Sequence, residues 1–148
     1  NRDKFTIIVM HHSPLKTCDY DNNRWARFTL DKPNLFLELI NRYPQVMLVL
    51  SGHHYLNHAQ TLKGKLFVSA PSITVYPNTY KILTINPDRV EVNNHKISFK
   101  QIIKKAGDLL AESEYAREYN EKKPRSVLKL HEGDGFSRQK VYSFSGKK

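Results

Sequence analysis

The chain has 148 residues, 39% of them hydrophobic, with 24 Lys and Arg against 14 Asp and Glu for a formal charge of +10, and one cysteine. That length supports one domain with a proper core, and no run of about eighteen apolar residues is present to span a membrane, so no membrane partner is expected. The lone Cys18 excludes an internal disulfide and fits a reducing, cytoplasmic setting, while Asp19 and Asp21 beside it disfavour a reactive thiolate.

Asn1 to Lys4 lead almost at once into a core-like strand without an initiator Met, so the chain reads as a fragment of a longer protein. Phe5 to Met10 is an apolar run predicted as a strand buried on both faces, and it passes directly into His11-His12-Ser13-Pro14. Leu15 to Asn23 is polar and aperiodic, a loop. Beyond it lie Arg24, Trp25 and Arg27, where the Trp either stacks on a base beside the arginines or anchors the core. Asp31 precedes Lys32-Pro33 as a cap, and Leu35, Phe36, Leu39 and Ile40 recur at helical spacing up to Tyr43-Pro44. Val46 to Leu50 is a second buried strand, which delivers Ser51-Gly52-His53-His54-Tyr55-Leu56-Asn57-His58. Strand, loop, helix and strand make a crossover unit, which implies parallel neighbours and places both His pairs at one sheet edge.

Two hairpins follow, Gln60–Leu62 with Lys65–Ser69 around Lys63-Gly64, and Tyr80–Ile85 with Val90–Val92 around residues 86–89. The sheet is therefore mixed, or there are two sheets. Ala70-Pro71-Ser72 and Tyr76-Pro77-Asn78 read as a surface loop. Ser98 with Gln101 makes a capping-box pair for an amphipathic helix running to about Lys123, with Phe99, Ile102, Ile103, Ala106 and Leu110 inward and Lys100, Lys104 and Lys105 outward. Val127–Leu130 and Val141–Phe144 around residues 132–135 read as a terminal hairpin. The expected organisation is a main unit over residues 1–95 and a helix-plus-hairpin extension over 96–148, whose role is packing or self-association into a homo-oligomer.

Glycine lets the backbone turn tightly after the second strand, and imidazole is the commonest side-chain ligand for transition metals. A lone His at a strand end is ordinarily a cap or a surface residue, but two His pairs at equivalent places among seven His describe a site assembled at one edge. If His11 and His53 ligate one ion at about 2.0–2.1 Å, their ring nitrogens lie within roughly 3–4 Å of each other. The basic charges are interspersed with acids in both halves and form no block of five like charges. They therefore read as a solvated surface that concentrates anionic substrates, and a nucleic-acid-binding domain is the weakest reading.

Jointly, His11-His12-Ser13-Pro14, Ser51-Gly52-His53-His54-Tyr55 and Gly64-Lys65-Leu66-Phe67-Val68-Ser69-Ala70-Pro71-Ser72 resemble the C-terminal half of a calcineurin-like metallophosphoesterase, in the branch of the bacterial cyclic-nucleotide phosphodiesterase-like phosphohydrolases. The resemblance implies an α/β fold of mixed α+β type, a β-sandwich of two mixed sheets flanked by helices. It also implies two metal ions, divalent or mixed-valence Mn, Fe or Zn, at the strand ends. It matches His11 to a lone His ligand and His53 to the first His of a Gly-His-any-His motif on the same metal, and it puts the catalytic His12 against substrate phosphate. The second His of that motif falls at Tyr55, with His54 adjacent, so metal roles are expected among His11, His53, His54 and Tyr55. Three outcomes are open there: Tyr55 ligates a ferric ion, a backbone irregularity after Gly52 swings His54 into the role, or the second metal is held weakly.

The family's remaining ligands, in Asp-any-His, Gly-Asp and Gly-Asn-His motifs, normally precede this region, and none of these motifs stands ahead of His11 in this chain. The missing N-terminal half of the domain is therefore an expected partner, and the chain alone is expected to be inactive. The implied function is hydrolysis of a phosphomonoester or phosphodiester substrate by a water that two metals activate. The alternative is a non-catalytic phosphate-binding or scaffolding relative.

Overall fold

The computed structural model describes residues 3–19 and 26–144. Arg24 and Trp25, Asp21 beside Cys18, the end of the loop at residues 20–23 and the first two residues lie outside them. In chain order the elements are β1 (Thr6–Val9), α1 (Pro33–Asn41), β2 (Val46–Ser51), β3 (His58–Leu62), β4 (Lys65–Ser69), β5 (Thr79–Ile85), β6 (Arg89–Lys96), α2 (Lys100–Glu112), α3 (Glu114–Tyr119), α4 (Val127–Glu132), α5 (Gly135–Arg138) and β7 (Gln139–Ser143).

The strands form two sheets, flanked by the helices. One has the order β1-β2-β4-β3, parallel through β1, β2 and β4 with β3 antiparallel at the edge, and the other is an antiparallel β5-β6-β7. The crossover unit is present as the sequence predicts, with Ile7 opposite Leu48 and Val9 opposite Leu50. Lys63 and Gly64 both take positive φ, 49° and 74°, as a two-residue hairpin turn between right-twisted strands requires.

Alternation along the central strands builds the layers. Leu48, Leu66 and Val68 meet Val90, Val92 and Tyr142 between the sheets, while Val49 and Phe67 point oppositely and pack with Ile40 of α1. Lys65, the first residue of β4, is also buried, and its ammonium donates to the carbonyls of Tyr43 (3.0 Å) and Val46 (2.7 Å), which offsets the cost of burying it.

Several expectations need correction. β1 is an edge strand with one open face: Val9 is 76% exposed and Ile7 38%, and the buried residues that its sheet gives to the core between the sheets come from β2, β4 and β3. The residue capping α1 is Lys32, at φ 51°, and not Asp31. Pro77 and Asn78 are buried rather than on a surface loop.

The long helix from Ser98 breaks at Ser113, whose side chain accepts from the Ala116 amide (3.2 Å) and starts α3. Phe99 precedes α2 without a side-chain cap. Phe99 and Ile102 face solvent, and the buried positions are Gly107 and Ala111. A Cβ on Gly107 would come within 3.1 Å of the Tyr76 ring, so α2 approaches its neighbour on its smallest residue, not on its most apolar face.

The first arm of the supposed terminal hairpin is a helix. In α4, Val127 and His131 lie four residues apart and are both buried, an ambiguity inherent in a short apolar run. Its second arm, β7, pairs with β6. No helix among the described residues is long and apolar enough to cross a membrane.

Candidate metal centre

Hydrogen bonding between β1 and β2 outlasts the strands themselves. The Met10 amide donates to Leu50 (2.9 Å) and the Gly52 amide to His11 (3.0 Å), so both His pairs start from one fixed edge. The chain bends at His11 and His12, and both rings reach His53: ring centroids are 4.4 Å apart for His11 and His53, 4.3 Å for His12 and His53, and 4.9 Å for His11 and His12. One nitrogen from each of the three lies within 4.8 Å of the others. The structure thus brings His11 and His53 together, and it adds His12, which the resemblance assigned to substrate rather than to metal.

The end of β2 is built differently. The His54 amide donates to the Gly52 carbonyl at 2.8 Å across a single residue, His53, whose φ is 62°. This is a three-residue turn with positive φ at its centre, a rare and strained geometry for a residue with a Cβ. Tyr55 follows at φ 58° and is 44% exposed.

The turn sends consecutive histidines in opposite directions. His53 joins the cluster, while His54 is 3% exposed and stacked on Phe28 at 4.2 Å between centroids. Its Nε2 is hydrogen-bonded to the Tyr115 hydroxyl (2.9 Å) and its Nδ1 to the Thr17 hydroxyl (3.3 Å). Both ring nitrogens are thereby engaged inside the protein, and His54 is not in the cluster. The irregular backbone after Gly52 exists, but it turns His54 inward. Thr17, Phe28 and Tyr115 carry no motif; Tyr115 lies 61 residues beyond His54, and only the fold reveals the contact.

The His53 pKa is held below its ordinary value, chiefly by burial and then by the charges of His12 and His11, against a hydrogen bond to the Arg27 backbone. A ring kept neutral offers the lone pair that a metal requires. Three convergent imidazoles fit one divalent ion of the zinc type. They do not by themselves fit a two-ion centre, since no Asp or Glu among the described residues joins the group and a carboxylate is the usual bridge.

No protein-family profile matches the sequence, and no curated protein does. Among solved structures, a Vps29 double mutant from Entamoeba histolytica is similar over 54% of this chain and 46% of that chain, at 18% identity and a TM-score of 0.35. The similarity spans less than half of that protein's length.

Proposed function

We propose that the chain is a metallophosphoesterase-like domain in which His11, His12 and His53 hold one divalent transition-metal ion, and that the edge bearing it binds a phosphate group. The observation that carries this reading is the convergence of three ring nitrogens within 4.8 Å at the end of two parallel strands. A bound ion supplies Lewis acidity toward a phosphoryl oxygen. The chain's own contribution is to keep His53 neutral and to hold the three rings on one edge, while its net positive charge raises the local concentration of anions. With no carboxylate in the group, binding or scaffolding accounts for the described residues better than turnover does. The single Cys18 is in keeping with a cytoplasmic setting.

The test is a titration of the chain with inorganic phosphate, with and without one equivalent of Zn(II). Phosphate binding that requires the ion is expected, and binding unchanged by a chelator would overturn the reading.

A second reading, one half of a two-metal phosphoesterase, is favoured by the open face of β1, where Val9 is 76% exposed at the sheet edge next to the cluster. A further segment lying there and bearing carboxylates would complete a dinuclear centre. Metal-dependent hydrolysis of a generic phosphodiester, appearing only when such a segment is present, would favour this reading over the first.

A further inference from the structure

The turn at His53 is not self-supporting. An L-residue in the left-handed region is strained because its Cβ crowds the following carbonyl oxygen, and two of them, His53 and Tyr55, stand two positions apart. Such backbone persists only where its surroundings over-determine it. On the N-terminal side the restraint is the β1–β2 hydrogen bonding that ends at Gly52.

On the C-terminal side His54 is held, besides its own turn bond to Gly52, by Thr17 and Tyr115, and Asn57 and Ala59 take further hydrogen bonds from beyond β4, most of them from the helices that follow β6. The Asn57 side chain donates to the Glu132 carbonyl at 2.8 Å, the Ala59 amide donates to the Ser137 hydroxyl at 3.1 Å, and the half-buried Lys81 ammonium bridges Asn57 (2.5 Å) and the Ser137 carbonyl (2.6 Å). Gly133 closes on Asn57 so tightly that a Cβ there would stand 2.1 Å from its carbonyl oxygen, in a backbone already at φ 70°. Nearest to the strained residue is the hydrogen bond between His54 and Tyr115. Tyr115 belongs to α3, which is fixed by the Ser113 cap and by the fully buried Ala116, and its ring rests edge-on against His131.

We propose that Tyr115 is a positioning residue for the histidine cluster: by holding His54 in the interior it maintains the turn that aims His53 at His11 and His12. The helices after β6 are then a clamp on the metal-binding loop, not a mere appendage. The proposal rests on the reading of the cluster as a metal site, but it makes a separate claim about the loop in the absence of metal.

The test compares the chain with its Tyr115→Phe and His53→Ala variants. Amide hydrogen exchange on the metal-free proteins reads the turn through the His54 amide, and chelator competition for Zn(II) with the visible spectrum of the Co(II) form reads the cluster. Tyr115→Phe removes one oxygen. It is expected to speed exchange at His54 about tenfold while β2 and β4 stay protected, to weaken Zn(II) binding about tenfold, within the range seen when groups behind a ligand are lost, and to shift the Co(II) bands.

Unchanged exchange and unchanged affinity in Tyr115→Phe, with binding lost in His53→Ala, would overturn the positioning role and leave the metal site standing. Faster exchange in Tyr115→Phe, in a chain that binds no Zn(II) at all, would sustain the clamp and overturn the metal site. Should Tyr115→Phe loosen amides throughout, His54→Phe, which keeps the stack on Phe28 and removes both ring hydrogen bonds, takes its place with the same two criteria.

Discussion

At the end of β1 both histidines of the pair, His11 and His12, face the cluster from a bend, whereas at the end of β2 the pair is split, His53 outward and His54 into the interior. The surroundings differ in the same sense. β1 is an edge strand with Val9 open to solvent, and β2 is flanked by strands on both sides with Leu48 and Val49 buried on its two faces. Identical dipeptides thus acquire different roles from the backbone that presents them. At the end of β1 both imidazoles lie in the cluster, whereas at the end of β2 the first does so and the second is buried against Phe28 and Tyr115.

The difference between the strands is the easiest to break. Leu48→Ala, at a position with no exposure between the sheets, is expected to cost about 3–4 kcal/mol in urea unfolding, while Val9→Ala on β1 should stay within about 0.5 kcal/mol. Comparable losses at the two sites would mean that β1 is covered as β2 is.

Acid sharpens the contrast between interior and cluster imidazoles. Burial, with the charge of His54 behind it, pushes the His131 pKa down from 6.5 to about 4. Among the described residues neither ring nitrogen has a hydrogen-bond partner in good geometry, although the Tyr76 backbone lies near enough to oppose the shift slightly. Because the folded value is depressed, the unfolded chain binds the extra proton. The stabilisation is therefore complete above pH 6.5 and is lost as the pH falls toward 4, by about 3 kcal/mol. His131→Phe should flatten the stability profile across that window, and an unchanged slope would place the acid sensitivity elsewhere.

Splitting the β2 pair by mutation gives smaller effects of opposite sign. His54→Ala loses a stack and two hydrogen bonds and should destabilise by about 2 kcal/mol. His53→Gly relieves a positive φ and should stabilise by up to about 1 kcal/mol while it removes a ligand. Thermal unfolding and Zn(II) binding on the same two proteins decide it; a His53→Gly variant that is less stable would show that the turn is not strained.

Much of this was legible beforehand, since hydrophobic runs and turn residues marked the crossover unit and both hairpins, and parallel pairing alone brings residues 11 and 53 to one edge. What was not legible depends on contacts distant in sequence. The open face of β1 follows from its place at the sheet edge, which a local apolar run does not encode. Regular strand geometry was enough to turn His54 away from His53, but the left-handed turn and the Tyr115 contact that secure it arise only once α3 packs behind the loop. The same short-run ambiguity that made Val127–Leu130 look like a strand hid α4, and with it the closure of Gly133 on Asn57. The resemblance set His12 against substrate; the bend at the end of β1 places its ring in one group with those of His11 and His53.

The central claim is that three histidines from two strand ends form one metal site, and Zn(II) binding by the chain and by its His11→Ala, His12→Ala and His53→Ala variants tests it most directly. The account predicts one equivalent bound by the chain and a loss of about a hundredfold or more in affinity in each variant. Two equivalents, or an affinity that survives all three substitutions, would contradict it.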